Sequence, residues 1–164
     1  WNQHTYHITN VGENASIPTS EAEGWLEFNS YRQNELASGE GQATSAPDMA
    51  GLDGSAVPTG CPDEITLYVW IENRGAIDAP PGIPVAFYEG DPAAGGSLID
   101  VVYTTRVLAP GQAQRVSLVW SDPPVGSTAS IYIVADDFGT GQGSVAECGD
   151  DDNNTAIIGS VGCL

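Results

Sequence analysis

The densest group of metal-ligating side chains lies near the end of the sequence. Asp136 and Asp137 precede a glycine-rich turn, Gly139-Thr-Gly-Gln-Gly143, and Glu147, Asp150, Asp151, Asp152, Asn153 and Asn154 follow it. No Lys, Arg or His comes after Arg115 to offset these carboxylates. Calcium takes about six to eight oxygen ligands and tolerates irregular geometry, so Asp136, Asp137, Glu147, Asp150, Asp151, Asp152 and Asn153 form a candidate Ca²⁺ site. The spacing does not match an EF-hand loop, and neighbouring side chains on an extended segment point in opposite directions. A solvated acidic loop, whose Asp and Asn side chains cap the turn, is the alternative.

Other chemistry is poorly represented. His4 and His7 would share a metal if they lay one turn apart on a helix, but Thr5, Tyr6, Ile8 and Thr9 make the segment strand-prone, and on a strand the two point to opposite sides. Trp1, His4, Tyr6 and Ile8 read better as a surface that packs against another β-structure. The sequence has no lysine to serve as a base or Schiff-base nucleophile and no G-x-S-x-G elbow. Gly141-x-Gly143-x-x-Ala146 imitates a dinucleotide fingerprint, yet no helical pattern follows it and its acidic flanks would repel a pyrophosphate. The expectation is a protein that is not an enzyme.

Composition narrows the partners. Across 164 residues, 22 acidic side chains oppose 4 arginines, for a formal charge of -18. Phosphate backbones are held by Lys and Arg that displace counterions, so nucleic acid is excluded as an expected partner, as are anionic lipid surfaces. The longest uninterrupted apolar runs, Ile131–Ala135 and the equally long Leu67–Ile71, are far short of the ~20 residues that cross a bilayer. Three cysteines, no lysine and strong acidity favour an exported, oxidising location at or outside the cell surface. A chain that opens on Trp1 is expected to derive from a longer precursor.

The elements that must position these groups are short strands. Gly and Pro, 20 and 11 in number, punctuate the sequence without a collagen-like period. In Ile65-Thr-Leu-Tyr-Val-Trp-Ile-Glu72 the apolar residues Ile65, Leu67, Val69 and Ile71 alternate with Thr66, Tyr68, Trp70 and Glu72, which is strand periodicity. Similar runs occur at Val85–Tyr88, Leu98–Thr105, Arg115–Trp120, Ala129–Ala135 and Thr155–Val161, with one poorly marked strand before Cys61. About seven strands separated by turns, with no helical stretch among them, predict an all-β, immunoglobulin-like sandwich over residues 51–164. Residues 1–50 are an extended arm anchored by Trp25, Leu26, Phe28 and Tyr31, with Ser20-x-x-Glu23 as a weak capping box.

Successive segments over residues 61–164 resemble the CARDB domain, a family of adhesion-related, immunoglobulin-like bacterial modules. They are Cys61-Pro62, Ile65–Gly75, Gly82–Pro92, Leu108-Ala-Pro-Gly-Gln112, Ala135-Asp-Asp137, Val145-Ala-Glu-Cys148 and Asp152-Asn-Asn-Thr155. Trp1–Val11 and Phe28–Asn34 resemble a segment that precedes such domains in large secreted bacterial proteins carrying FG-GAP propellers. The resemblance implies surface attachment or scaffolding rather than catalysis.

In an immunoglobulin-like sandwich the second strand starts at the end where the last strand finishes, which predicts a Cys61–Cys163 disulfide and leaves Cys148 as a lone thiol or an intermolecular partner. The combined expectation is a secreted adhesion or structural module that self-associates as a homo-oligomer or docks on other domains of one assembly, with calcium as a stabilising ion. Strand addition by the arm, repeated head to tail, would make it a surface filament subunit. The alternative is a carbohydrate-binding module, in which Trp70 and Trp120 stack on a glycan.

Overall fold

A computed structural model describes residues 46–140 and 153–164. Seven strands are present among them: β1 (Met49–Gly60), β2 (Glu64–Asn73), β3 (Pro84–Glu89), β4 (Ser97–Tyr103), β5 (Ala113–Ser121), β6 (Ala129–Ala135) and β7 (Thr155–Val161). They form two antiparallel sheets, ordered β1-β2-β5 and β4-β3-β6-β7. This is the expected immunoglobulin-like sandwich. The unit they form runs from Ser45 to Leu164, and the expected arm–sandwich division between residues 50 and 51 falls inside β1.

Period-two patterning builds the three-stranded sheet. Ile65, Leu67, Val69 and Ile71 of β2 are completely buried, and β5 places Trp120, Leu118 and Val116 directly opposite the first three. From the other sheet come Val85 and Phe87 of β3, Ile131, Ile133 and Ala135 of β6, and Ala156 and Val161 of β7. Each large apolar side chain withdrawn from water contributes about 1.5–3 kcal/mol, which is why strands this short hold together only as a sandwich.

β3 departs from alternation. Val85, Ala86, Phe87 and Tyr88 are all buried, so this central strand is covered on both faces. Part of the outer cover is the turn after β6, where a Cβ on Gly139 would lie 2.6 Å from Leu98 Cδ2. An uninterrupted apolar run such as Val85–Tyr88 is what a strand buried on both sides requires.

Asn73, at the end of β2, is fully buried and uses its whole amide. Its Nδ2 donates to the carbonyls of Ile77 (2.7 Å) and Leu108 (2.8 Å), and its Oδ1 accepts from the amides of Gly75 (2.9 Å) and Asp48 (3.2 Å). One side chain thus replaces a regular ladder where three loops meet. At the opposite end Cys61 and Cys163 are bonded, with Cα atoms 5.7 Å apart and a sequence separation of 102. The Cys61–Pro62 peptide is cis.

Candidate functional site

The site begins where β6 ends and β7 starts. The backbone amide of Ala135 donates to the Asn154 carbonyl (2.9 Å), and Asn154 Nδ2 reaches back to the Ala135 carbonyl (3.5 Å). Asn153 Nδ2 donates to Asp48 Oδ1 at 2.8 Å, which brings in the segment that leads into β1. Asp48 is itself fixed through its backbone, since its amide donates to Asn73 Oδ1 and its carbonyl accepts from the Arg74 amide at 2.7 Å. Asp136 follows Ala135 with φ 56° and is fully buried, as is Asp137. Aspartate tolerates the left-handed region better than most side chains, which suits it to this abrupt exit from β6.

The two adjacent aspartates have separate environments. Asp137 Oδ2 accepts the Tyr88 hydroxyl at 2.5 Å. Its Oδ1 accepts the amides of Gly139 (2.9 Å) and Thr140 (2.8 Å) and the Thr140 hydroxyl at 3.4 Å. Both oxygens shape the turn and pin it to β3, as an aspartate that caps a turn does.

The asparagines have oxygen to spare. Asn153 Oδ1 and Asn154 Oδ1 are buried and lack a hydrogen-bond partner, and the Asn154 side chain is within a residue that is only 2% exposed. A buried carbonyl oxygen without a donor costs roughly 1–3 kcal/mol, so each marks a place that a cation or water would relieve. Among the described residues, no group of three or more His, Cys, Asp or Glu side chains is placed to hold a metal. The oxygen donors this corner offers are amide as well as carboxylate, and the Asn154 oxygen was not among the expected ligands. Its only sequence signal is its position directly after Asn153. Glu147, Asp150, Asp151 and Asp152 lie outside the described residues, as do Trp1, His4, Tyr6, Ile8 and Cys148.

The expected aromatic pair does not form. Trp70 is 42% exposed on the outer face of β2, flanked by Leu52 and Arg115. Trp120 is 6% exposed, because it shares the parity of Val116 and Leu118 and faces Ile65 inside the core. It therefore cannot stack on a glycan. Tyr68, next to Trp70 on the outer face, has the Arg115 guanidinium 4.8 Å above its ring centre, so that face too is occupied.

No family model matches the sequence, and no curated protein matches it. The fold does have a solved counterpart. The crystal structure of the CARDB domain of a Pyrococcus furiosus protein, in complex with di-metal ions, is similar with a TM-score of 0.51 and 21% identity, covering 73% of this chain and 97% of that domain. Beta-glucosidase 3B from Thermotoga neapolitana, in complex with glucose, aligns at a TM-score of 0.40 and 16% identity over 71% of this chain, which spans only 16% of that enzyme. The sandwich is a CARDB-like domain in fold, as its sequence segments imply.

Proposed function

We propose that this chain is a non-catalytic, extracellular adhesion or structural module, stabilised by a bound divalent cation at the β6–β7 corner and self-associating through its N-terminal segment. The CARDB-like fold supports the module class, and the disulfide and the absence of a long apolar helix among the described residues are consistent with an extracellular setting. The observation that carries the cation is the pair of orphaned oxygens, Asn153 Oδ1 and Asn154 Oδ1, on residues that hydrogen-bond Asp48 and the end of β6. These oxygens, with the Asp136 and Asp48 carboxylates, suit a hard, oxygen-seeking ion such as Ca²⁺. The ion would supply charge neutralisation to a chain of formal charge -18.

Differential scanning calorimetry tests the cation. In millimolar Ca²⁺ the melting temperature rises by several degrees over that in chelator, because a ligand at about 100 times its Kd adds about 2.7 kcal/mol to the folded state. Superimposable transitions in Ca²⁺ and chelator would remove the ion from the proposal. Self-association places residues 1–50 in contact with a neighbouring copy, and concentration-dependent mass in solution is its direct readout.

A further inference from the structure

Of the four edge strands, β7 alone carries neither a charged residue nor a proline. Its sequence is Thr155-Ala-Ile-Ile-Gly-Ser-Val161, whereas β1 holds Asp53 and Pro58, β4 holds Asp100 and β5 holds Arg115. Charges and prolines are the usual devices that stop an exposed edge from pairing with another chain, and β7 lacks both. Its one irregularity is a register shift opposite Ala129–Ile131, near Ser160 with φ 56°. At that place a cleft of about 220 Å³ opens between β7 and β1, lined by Ala56, Pro58, Ile65, Ile158, Gly159 and Val161 among others, and no described lining residue is charged.

The cleft is fixed at both ends. Towards the start of the two strands, glycines let β1 close against β7: a Cβ on Gly51 would lie 2.8 Å from the Asn154 carbonyl oxygen, and one on Gly54 2.7 Å from Ile158 Cγ1. Beyond the other end, the Cys61–Cys163 disulfide joins the residues that follow β1 and β7. Between these two closures the strands are parted, and among the described residues β7 is hydrogen-bonded only to β6.

The chemistry of the cleft selects an occupant. A net charge of -18 makes most surfaces of two copies repel each other, yet residues 1–12 contain none of the 22 acids and hold both histidines. Thr5-Tyr-His-Ile-Thr9 is rich in β-branched and aromatic residues, and on an extended segment His4, Tyr6 and Ile8 share one face. We infer that the β1–β7 cleft is the acceptor for residues 1–12 of a second copy, which add along the β7 edge with Tyr6 and Ile8 towards Ile65, Ile158 and Val161. Backbone hydrogen bonds to the outer edge of β7, which has no strand partner among the described residues, supply affinity, and the uncharged cleft rejects the acidic segments of the same chain. The donor and acceptor surfaces differ, so each copy can receive one neighbour and enter the next. This inference rests on the self-association proposed above.

Light scattering on the full-length protein over a range of concentrations, with two variants, provides the test. Gly159→Glu places a carboxylate in the cleft where a Cβ meets no atom within 4 Å, and Ile8→Glu charges the donor. The wild type forms a larger species with rising concentration, more readily at higher salt as charge repulsion is screened. Each variant shifts the assembly midpoint by about tenfold or more, or 1.4 kcal/mol. On a Cys148→Ser background, a copy carrying Ile8→Cys and one carrying Gly159→Cys form a disulfide-linked heterodimer on oxidation. A wild type that stays monomeric overturns self-association itself. Assembly unaffected by Gly159→Glu, or a cross-link that forms only within one chain carrying both cysteines, overturns this acceptor and leaves self-association standing.

Discussion

Asn153 Nδ2 donates to Asp48 Oδ1 at 2.8 Å, across 105 residues of sequence, and so ties the start of the last strand to the segment before the first. Because the amide nitrogen faces Asp48, the Asn153 oxygen is left buried and unpaired, as is that of the next residue, Asn154. An oxygen-rich corner is thus produced by the closure of the sandwich itself.

Asn154→Ala is expected to remove most of the calcium-dependent rise in melting temperature while changing stability in chelator by less than about 1 kcal/mol. The lost oxygen has no partner to forfeit, and the lost Nδ2 bond is long, at 3.5 Å. Calorimetry in chelator and in millimolar Ca²⁺ separates the two effects.

Cys163→Ser is expected to lower unfolding free energy by about 2–5 kcal/mol, since the bridge closes a loop with a sequence separation of 102 residues. Urea titration measures the loss. Reductant added to the wild type should reproduce it, whereas Cys148→Ser should not.

Asn73→Ala strands the carbonyls of Ile77 and Leu108 and the amides of Asp48 and Gly75. A loss of about 2–4 kcal/mol is expected, tempered where water reaches the corner. Asn73→Asp, which keeps the acceptor and removes both donors, should recover little of it by the same urea titration.

Trp120→Ala is expected to cost about 3–5 kcal/mol through the cavity it leaves, and Trp70→Ala less than about 1 kcal/mol. Neither variant should alter glycan binding on an array, because Trp120 is in the core and the Tyr68 ring next to Trp70 is covered by Arg115. Glycan binding abolished by Trp70→Ala would reinstate the carbohydrate reading.

Much of the sandwich is legible in the sequence because strand burial is local and periodic. Ile65, Leu67, Val69 and Ile71 declare their face within eight residues, and all four are completely buried. The same parity rule was available for Trp120, which stands two residues from Leu118 and four from Val116, and it outranks the general tendency of aromatic residues to mark binding surfaces. β1 was harder to discern. Its sequence, Met49-Ala-Gly-Leu-Asp-Gly-Ser-Ala-Val-Pro-Thr-Gly60, carries three glycines and a register break between Leu52 and Ser55, where Asp53 has φ 42°. Gly51 and Gly54 are there for close approach to β7, a requirement that exists only once the sheets have met.

Fold class, strand faces and the end of the sandwich at which Cys61 and Cys163 meet are legible along the chain, because alternation and turn chemistry act over a few residues. The roles of Asp137, Asn153 and Asn154 emerge only in the folded sandwich. Asp137 is held by Tyr88 and its own turn, while Asn153 and Asn154 keep unpaired oxygens. Which oxygen is left without a donor depends on the Asp48 carboxylate, which accepts from Asn153, and on the Tyr88 hydroxyl of β3, which donates to Asp137, both dozens of residues away. No local pattern encodes those distances; they arise when the two sheets close on a shared core.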